Sequence, residues 1–496
     1  MTVRRLLGAF TAALAAAAAA GSLALHANGP QSAAQPPQSN KAVVMKGRAP
    51  VSTEMLRVRL PRPAEADLSN GLHLMVLEDR RAPQVSFQLL IPGAGGYFDP
   101  PSTPGLSVMT AAMMREGTTS KTTQQIALQL ETMAASVNVS SSLSGGTATI
   151  AGSSLTEHFE PTFALAADIL LNPTFPSDEF ERYRTRTAAS LVQQRSIPGF
   201  LANERFTRAV YGAHPASRAS MTPESLKSVT RETLAGFHKA HFVPDHAVLA
   251  IAGDVSMAEA RRIAERALAG WQKAGVPAPE FEDPSPIDGA TVSLVARPNS
   301  VQTSLWVGTQ AISRTSPDYD VVTVMNAVIG GGPTGRLFVH LREEKGYTYG
   351  AYSNVSASQY RGVWLASTDV RTEVTEPALK DLMAEVARMR DEAVPAQEFE
   401  DRKRGIVASF ALSLESPTAV LGNHVTRWLY GLPADYWDRL PERIAAVTQA
   451  DVQAAAKKYL APGRLQIVAV GDEAKVAPIL KAYGAVDIYD TSGVKR

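Results

Sequence analysis

The sequence contains no cysteine. Disulfides, thiolate metal sites, a cysteine nucleophile and a lipidated N-terminal cysteine are therefore excluded. It also lacks an excess of charge. The 49 basic and 48 acidic residues leave a formal net charge of +1. That balance carries no electrostatic footprint for nucleic acid. Beyond the N-terminal leader no apolar run is long enough to span a bilayer, so no membrane association is expected of the mature form. No Gly-x-Ser-x-Gly elbow occurs. None of the nine histidines stands in an HxxEH, HxxxH or reversed zincin pattern. What remains is an ordinary globular composition, 45% hydrophobic and 20% charged, in a chain of 496 residues. That length is too great for one core, and two to four domains are expected.

The N-terminus places Arg4 and Arg5 before an uncharged, Ala-rich stretch from Leu6 to Leu25. Small-residue cleavage options follow at Ala24 and Ala27. This is the pattern of a secretory signal peptide over 1–27, with an uncleaved anchor as the alternative. Export to a Gram-negative periplasm, or secretion, is the expected localisation. Residues 28–55 are rich in Pro, Gln, Ser and Ala, lack periodic apolar positions, and read as a flexible tether.

The rest of the chain repeats itself. Residues 226–255 and 444–473 align without a gap. Thr230 and Thr448 each open a helix, Pro244 and Pro462 each follow it, and "HAVLAIAG" and "LQIVAVG" each read as a buried strand ending in Gly-Asp. The starts of the halves correspond too, with 71–93 and 291–311 each reading as two strands. The Pro-rich stretch 274–289 separates them. Two homologous domains follow, over 56–273 and 290–490. In the first, paired strands alternate with consecutive helices near 104–115, 122–135, 157–171, 178–195 and 201–211. This order predicts an α+β class in which each domain is a mainly antiparallel sheet with helices packed on one face.

Three segments carry candidate chemistry. Gly330, Gly331, Gly332 and Gly335 resemble a phosphate loop. However, Arg336 and Leu337 stand where Lys and Ser or Thr are needed, so a tight turn before a helix fits better. His238, His241, Asp245 and His246 suggest a metal cluster. The matching frame of the repeat holds Ala456, Tyr459 and Arg464, which favours a structural role. In "LREEKGYTYG", Gly346 is placed to cap a helix ending in Glu343, Glu344 and Lys345, with a strand beyond. Arg342 and Tyr349 then face one groove as a receptor for carbonyl oxygens or an oxyanion; the alternative is a surface Arg and a half-buried strand Tyr.

The stretch "IGGGPTGRLFVHLREEKGYTYGAYS", the duplication, "HFVPDHAVLAIAGDV" and "GLHLMVLED" together resemble the insulinase/pitrilysin family of zinc metallopeptidases over nearly all of 56–485. The resemblance implies paired α+β domains forming half of a clamshell around a peptide. It also implies substrate binding by Arg342 and Tyr349. The family's zinc frame falls on "GLSVMTAAMMREGT", where the ligand and base positions hold Val108, Ala111 and Ala112. None of these binds zinc or activates water. The family's further Glu ligand is implied near the middle of the 178–195 helix, yet no Glu occurs from Arg182 to Asn203. The chain is thus expected to be a zinc-less subunit with no cofactor of its own. Its implied partners are a peptide substrate and a zinc-bearing paralogue, in a heterodimer or larger assembly. The pair in mitochondrial processing peptidase is similar, although its zinc-less subunit contributes mainly a glycine-rich loop. A peptide-binding or scaffolding pseudoenzyme, or a self-sufficient peptidase with metal at His238 and His241, are the alternatives.

Overall fold

Two six-stranded sheets are built from the two halves in nearly the same way. The computed structural model describes residues 56–496; the leader and tether expectations fall outside the described residues. The first sheet contains β1 (Ala64–Asp67), β2 (His73–Glu78), β3 (Gln84–Pro92), β4 (Ser136–Ser140), β5 (Thr147–Leu155) and β6 (Val248–Gly253), in the order β1-β2-β6-β3-β5-β4. The second contains β7 (Thr291–Ala296), β8 (Gln302–Gln310), β9 (Thr348–Val355), β10 (Val363–Arg371), β11 (Gln466–Gly471) and β12 (Val486–Tyr489), in the order β12-β7-β11-β8-β10-β9. Most neighbours are antiparallel. The parallel pairs are β2 with β6, β7 with β11, and β7 with β12. In each half, the last of the repeated strands returns to lie beside the first.

The capping logic of the repeat holds at the atomic level. Thr230 accepts a hydrogen bond from the Thr233 N–H, and Thr448 accepts one from the Asp451 N–H. In each case the side chain at the third helical position bonds back to the cap. Such reciprocal caps satisfy two of the orphan donors at a helix start.

The apolar runs in β6 and β11 are buried at every position, because both faces of each strand are covered. Leu249 and Ile251 face the core under their own helices. Val248, Ala250 and Ala252 face Val420, Leu421 and Val425, which lie on the helix Pro417–Leu429 of the other half. The reverse exchange also occurs. The helix Pro198–Tyr211 of the first half places Leu201, Phe206 and Val210 against Val468 and Val470 of β11. Each sheet therefore has its own helices on one face and a borrowed helix on the other.

The borrowed helix of the first half is anchored by charge as well. Glu204, 4% exposed, receives the Arg195 guanidinium on both oxygens and the Ser220 hydroxyl at 2.8 Å. Burial alone would raise this carboxyl, but the bonds from Arg195 and Ser220 outweigh it and hold the pKa below the ordinary glutamate value.

Residues 274–289 contain no regular element, yet they are tied to both halves. Tyr97 accepts the Glu282 N–H at 2.9 Å, and Asp283 accepts the Arg361 N–H at 2.8 Å.

Candidate functional site

The helix that carries Arg342 begins at Arg336 and continues through a π-helical stretch, Val339–Glu344. Its inner side is fixed by two polar contacts. Arg336 is buried and makes a bidentate pair with Glu398, both bonds at 2.8 Å. His340 lies 2.9 Å from the buried Glu385. These partners sit on the helices Ala396–Ser413 and Thr375–Asp391, so the segment is seated on two neighbours. Gly346 ends the helix in the left-handed region, at φ 63°. The Tyr347 N–H then bonds to the Leu341 carbonyl at 3.0 Å. The expected order of helix, glycine cap and strand is the one found.

Arg342 projects from the outer side. Its guanidinium lies 4.8 Å from the centre of the Phe338 ring and pairs with the adjacent Glu343. Phe338 in turn packs on Tyr352, with ring centres 5.4 Å apart. No sequence signal marks Phe338 or Tyr352 as parts of this surface, since neither carries charge or falls in the Arg–Tyr spacing.

Tyr349 is exposed because of a backbone irregularity. Along edge strand β9, Ala351 and Ser353 point inward, and simple alternation would send Tyr349 the same way. Pairing with β10 shifts register there: Ala351 opposes Thr368, whereas Thr348 opposes Val370. Two residues, Tyr349 and Gly350, therefore stand against the single Asp369. The Thr348 hydroxyl stabilises the bulge by donating to the Asp369 carbonyl at 2.7 Å and accepting the Gly350 N–H at 3.1 Å. A bulge re-aims the side chain it carries. Tyr349 is consequently 93% exposed.

The glycine run serves close packing. A Cβ on Gly330 would lie 2.6 Å from the Ser353 nitrogen, and one on Gly335 would lie 2.7 Å from the Gly330 Cα. The Gly330 carbonyl accepts the Ser353 N–H at 2.8 Å, which seats the loop on the free edge of β9. Gly331 is crowded by the Ala327 backbone, whereas Gly332 has open space around it. Arg402 closes the loop from outside by bonding to Thr334.

The zinc-frame positions lie on the helix Leu106–Met114, in the first half. Asp99 holds its start by accepting the Gly105 and Ser107 N–H groups at 2.7 and 2.8 Å. Val108 and Ala112 are one turn apart and half-buried; Ala111 is 0% exposed. Hydrocarbon side chains at all three positions do not fit a zinc ion. Among the described residues, no three of His, Asp and Glu gather as a metal site would require.

The histidine cluster is dispersed by its hydrogen bonds. His238 bonds to the Leu170 carbonyl at 2.7 Å, His241 to the Gly93 carbonyl at 2.8 Å, and His246 to the Val276 carbonyl at 3.1 Å. Asp245 accepts the Ala274 and Gly275 N–H groups. Burial pulls His238 below its ordinary pKa. His238 and His241 thus each tie a different backbone carbonyl to the helix, which accounts for them structurally, and they do not join a third His, Asp or Glu among the described residues.

Restoring the frame alone is not expected to restore a peptidase. In Val108→His/Ala111→Glu/Ala112→His, the new carboxylate enters a fully buried position at a cost of about 2 kcal/mol or more. The distant Glu ligand is still missing. A lowered urea midpoint and no zinc-dependent peptide cleavage are expected. Strong zinc-dependent cleavage would contradict the reading of this region.

Duplicated six-stranded α+β domains, with hydrocarbon side chains throughout the ligand frame of one half and Arg342 and Tyr349 both exposed on the other, define a clamshell-like peptidase fold without its own metal side chains. The chain belongs to the insulinase family, peptidase family M16. The profile described as Insulinase (Peptidase family M16) matches residues 74–224, and that of the Peptidase M16 inactive domain matches residues 228–406. The chain is 22% identical to an uncharacterized zinc protease, YmxG, of Bacillus subtilis, over 72% of this chain and 85% of that protein. It is 23% identical to a protein named non-peptidase homolog YmxG of Helicobacter pylori, over 81% of this chain and 92% of that one. A solved peptidase M16 inactive domain from Pseudomonas fluorescens superposes with a TM-score of 0.76 at 28% identity, covering 83% of this chain and 98% of that one. The hydrocarbon side chains at Val108, Ala111 and Ala112, with the inactive-domain and non-peptidase names among these relatives, support a non-catalytic family member, while the Bacillus relative is named a zinc protease.

Proposed function

We propose that the chain is the non-catalytic subunit of a heteromeric zinc endopeptidase in the periplasm. Arg342 and Tyr349 would bind a peptide at the site of a zinc-bearing paralogue. The observation that carries this reading is the bulge in β9. It turns a tyrosine that strand alternation would bury into the most exposed large apolar or aromatic side chain among the described residues, on the segment that also presents Arg342. Exposing an aromatic ring this fully brings no packing energy, so a binding role accounts for it better than folding does. Arg342 supplies a planar fork of donors for a peptide carbonyl. Tyr349 supplies a hydroxyl for the oxyanion of a tetrahedral intermediate.

The test is hydrolysis of a fluorogenic peptide by the reconstituted complex. Arg342→Ala is expected to raise KM about ten- to a hundredfold, as loss of a charged hydrogen bond implies, with kcat little changed. Arg342→Lys is expected to recover only part of this, because an ammonium cannot reproduce the fork. Unaltered kinetics with an intact complex would instead favour a scaffolding pseudoenzyme.

A further inference from the structure

The charge beside Arg342 limits what its guanidinium can hold. Arg342 and Glu343 are both exposed, with 43% and 53% of their side chains accessible, and they pair with each other. One arm of the guanidinium, Nη1, donates to the Glu343 carboxylate. The ring of Phe338 lies 4.8 Å from the guanidinium. Nε and Nη2 have no hydrogen-bond partner among the described residues. The fork is therefore half occupied and its charge is matched. An exposed ion pair of this kind adds little to stability. Its effect falls on whatever approaches the arginine.

An arginine on a peptide-binding wall has two kinds of partner. A carboxylate, from a chain end or an acidic side chain, takes an unpaired guanidinium in a strong two-bond grip. A neutral carbonyl needs only the free donors. Glu343 separates the two. A carbonyl can share the guanidinium with it through Nε and Nη2, whereas a carboxylate has to approach against the Glu343 charge or expel it. The backbone acts in the same sense. Arg342 stands near the end of its helix, and a helix C-terminus carries a partial negative charge. Glu344 and Lys345 are exposed, have no partner among the described residues, and cancel each other in charge.

We propose that Glu343 is the specificity-determining residue of the Arg342 site. It keeps the arginine for the neutral carbonyl of an interior peptide bond and turns away chain-terminal and side-chain carboxylates. A built-in repulsive group is one of the two ways a site tells ligands apart. The inference rests on the peptide-binding role proposed for Arg342 and adds the class of peptide that the wall accepts.

The experiment follows hydrolysis of a fluorogenic peptide by the reconstituted complex. The inhibitor is a blocked alanine tetrapeptide, supplied as free acid or as C-terminal amide. The partner's zinc acts on the acid alike in every variant, so the change in the acid-to-amide ratio is what is read. Glu343→Gln is expected to tighten inhibition by the acid about three- to tenfold, as removal of one screened like charge at close range implies, and to leave the amide within about twofold. Glu344→Gln removes the same charge one residue further on and is expected to leave the ratio unchanged. Both carboxylates are exposed, so neither substitution threatens folding. An unchanged ratio in Glu343→Gln, equal tightening of acid and amide, or the same shift in Glu344→Gln would each overturn the proposal. Arg342→Ala tells the two readings apart. If it leaves hydrolysis unaltered, the peptide-binding role itself fails. If it raises KM while Glu343→Gln leaves the ratio unchanged, only the role of Glu343 fails.

Discussion

Tyr349→Phe is expected to lower the turnover of the reconstituted complex about a hundred- to a thousandfold, the usual cost of removing one oxyanion donor. The substitution removes a single oxygen from a side chain that is 93% exposed. Its hydroxyl has no hydrogen-bond partner among the described residues, so no fold contact is lost. The bulge is built by Thr348, Gly350 and Asp369 and does not involve the ring. Melting temperature and complex formation on gel filtration should therefore match wild type while kcat falls. A fall in kcat with KM nearly constant would place the hydroxyl's contribution in the transition state. Unchanged kcat would remove Tyr349 from the chemistry.

The largest effect on stability is expected at the exchanged helix. Phe206→Ala should cost about 3–5 kcal/mol, as large-to-small changes at buried phenylalanines do. Phe206 is 1% exposed and meets Trp306 edge-on, with ring centres 5.9 Å apart. Gly308 makes room for it, since a Cβ there would lie 2.7 Å from the ring. Removing the ring empties the contact by which the first half covers the sheet of the second. Urea unfolding followed by fluorescence reads the change directly. A loss below about 1 kcal/mol would mean that the two halves are held elsewhere.

The duplication, the order of the inner strands and helices, the caps at Thr230 and Thr448 and the stop at Gly346 were legible in the sequence, because each depends on local residue types; the short edge strands β1 and β12 were not. The helix exchange was not. The apolar positions of 198–211 and 417–429 state that one face must be buried, but nothing local states against which sheet. The exposure of Tyr349 was hidden for a similar reason. Its parity with Ala351 and Ser353 argues for an inward side chain, and the register shift that reverses this depends on β10. The Arg336–Glu398 and His340–Glu385 contacts join helices far apart in the chain, so spacing could not reveal them. The silent zinc frame is a different case. Val108, Ala111 and Ala112 look like ordinary helix residues until they are set against the family's pattern.

The most direct test of a shared active site is a titration. A fixed amount of the zinc-bearing paralogue is mixed with increasing amounts of this chain, and hydrolysis of a fluorogenic peptide is followed. The rate is expected to rise from near zero and saturate at the stoichiometry of the complex. A rate that stays flat while gel filtration shows the complex forming would contradict the proposal that this chain completes its partner's site.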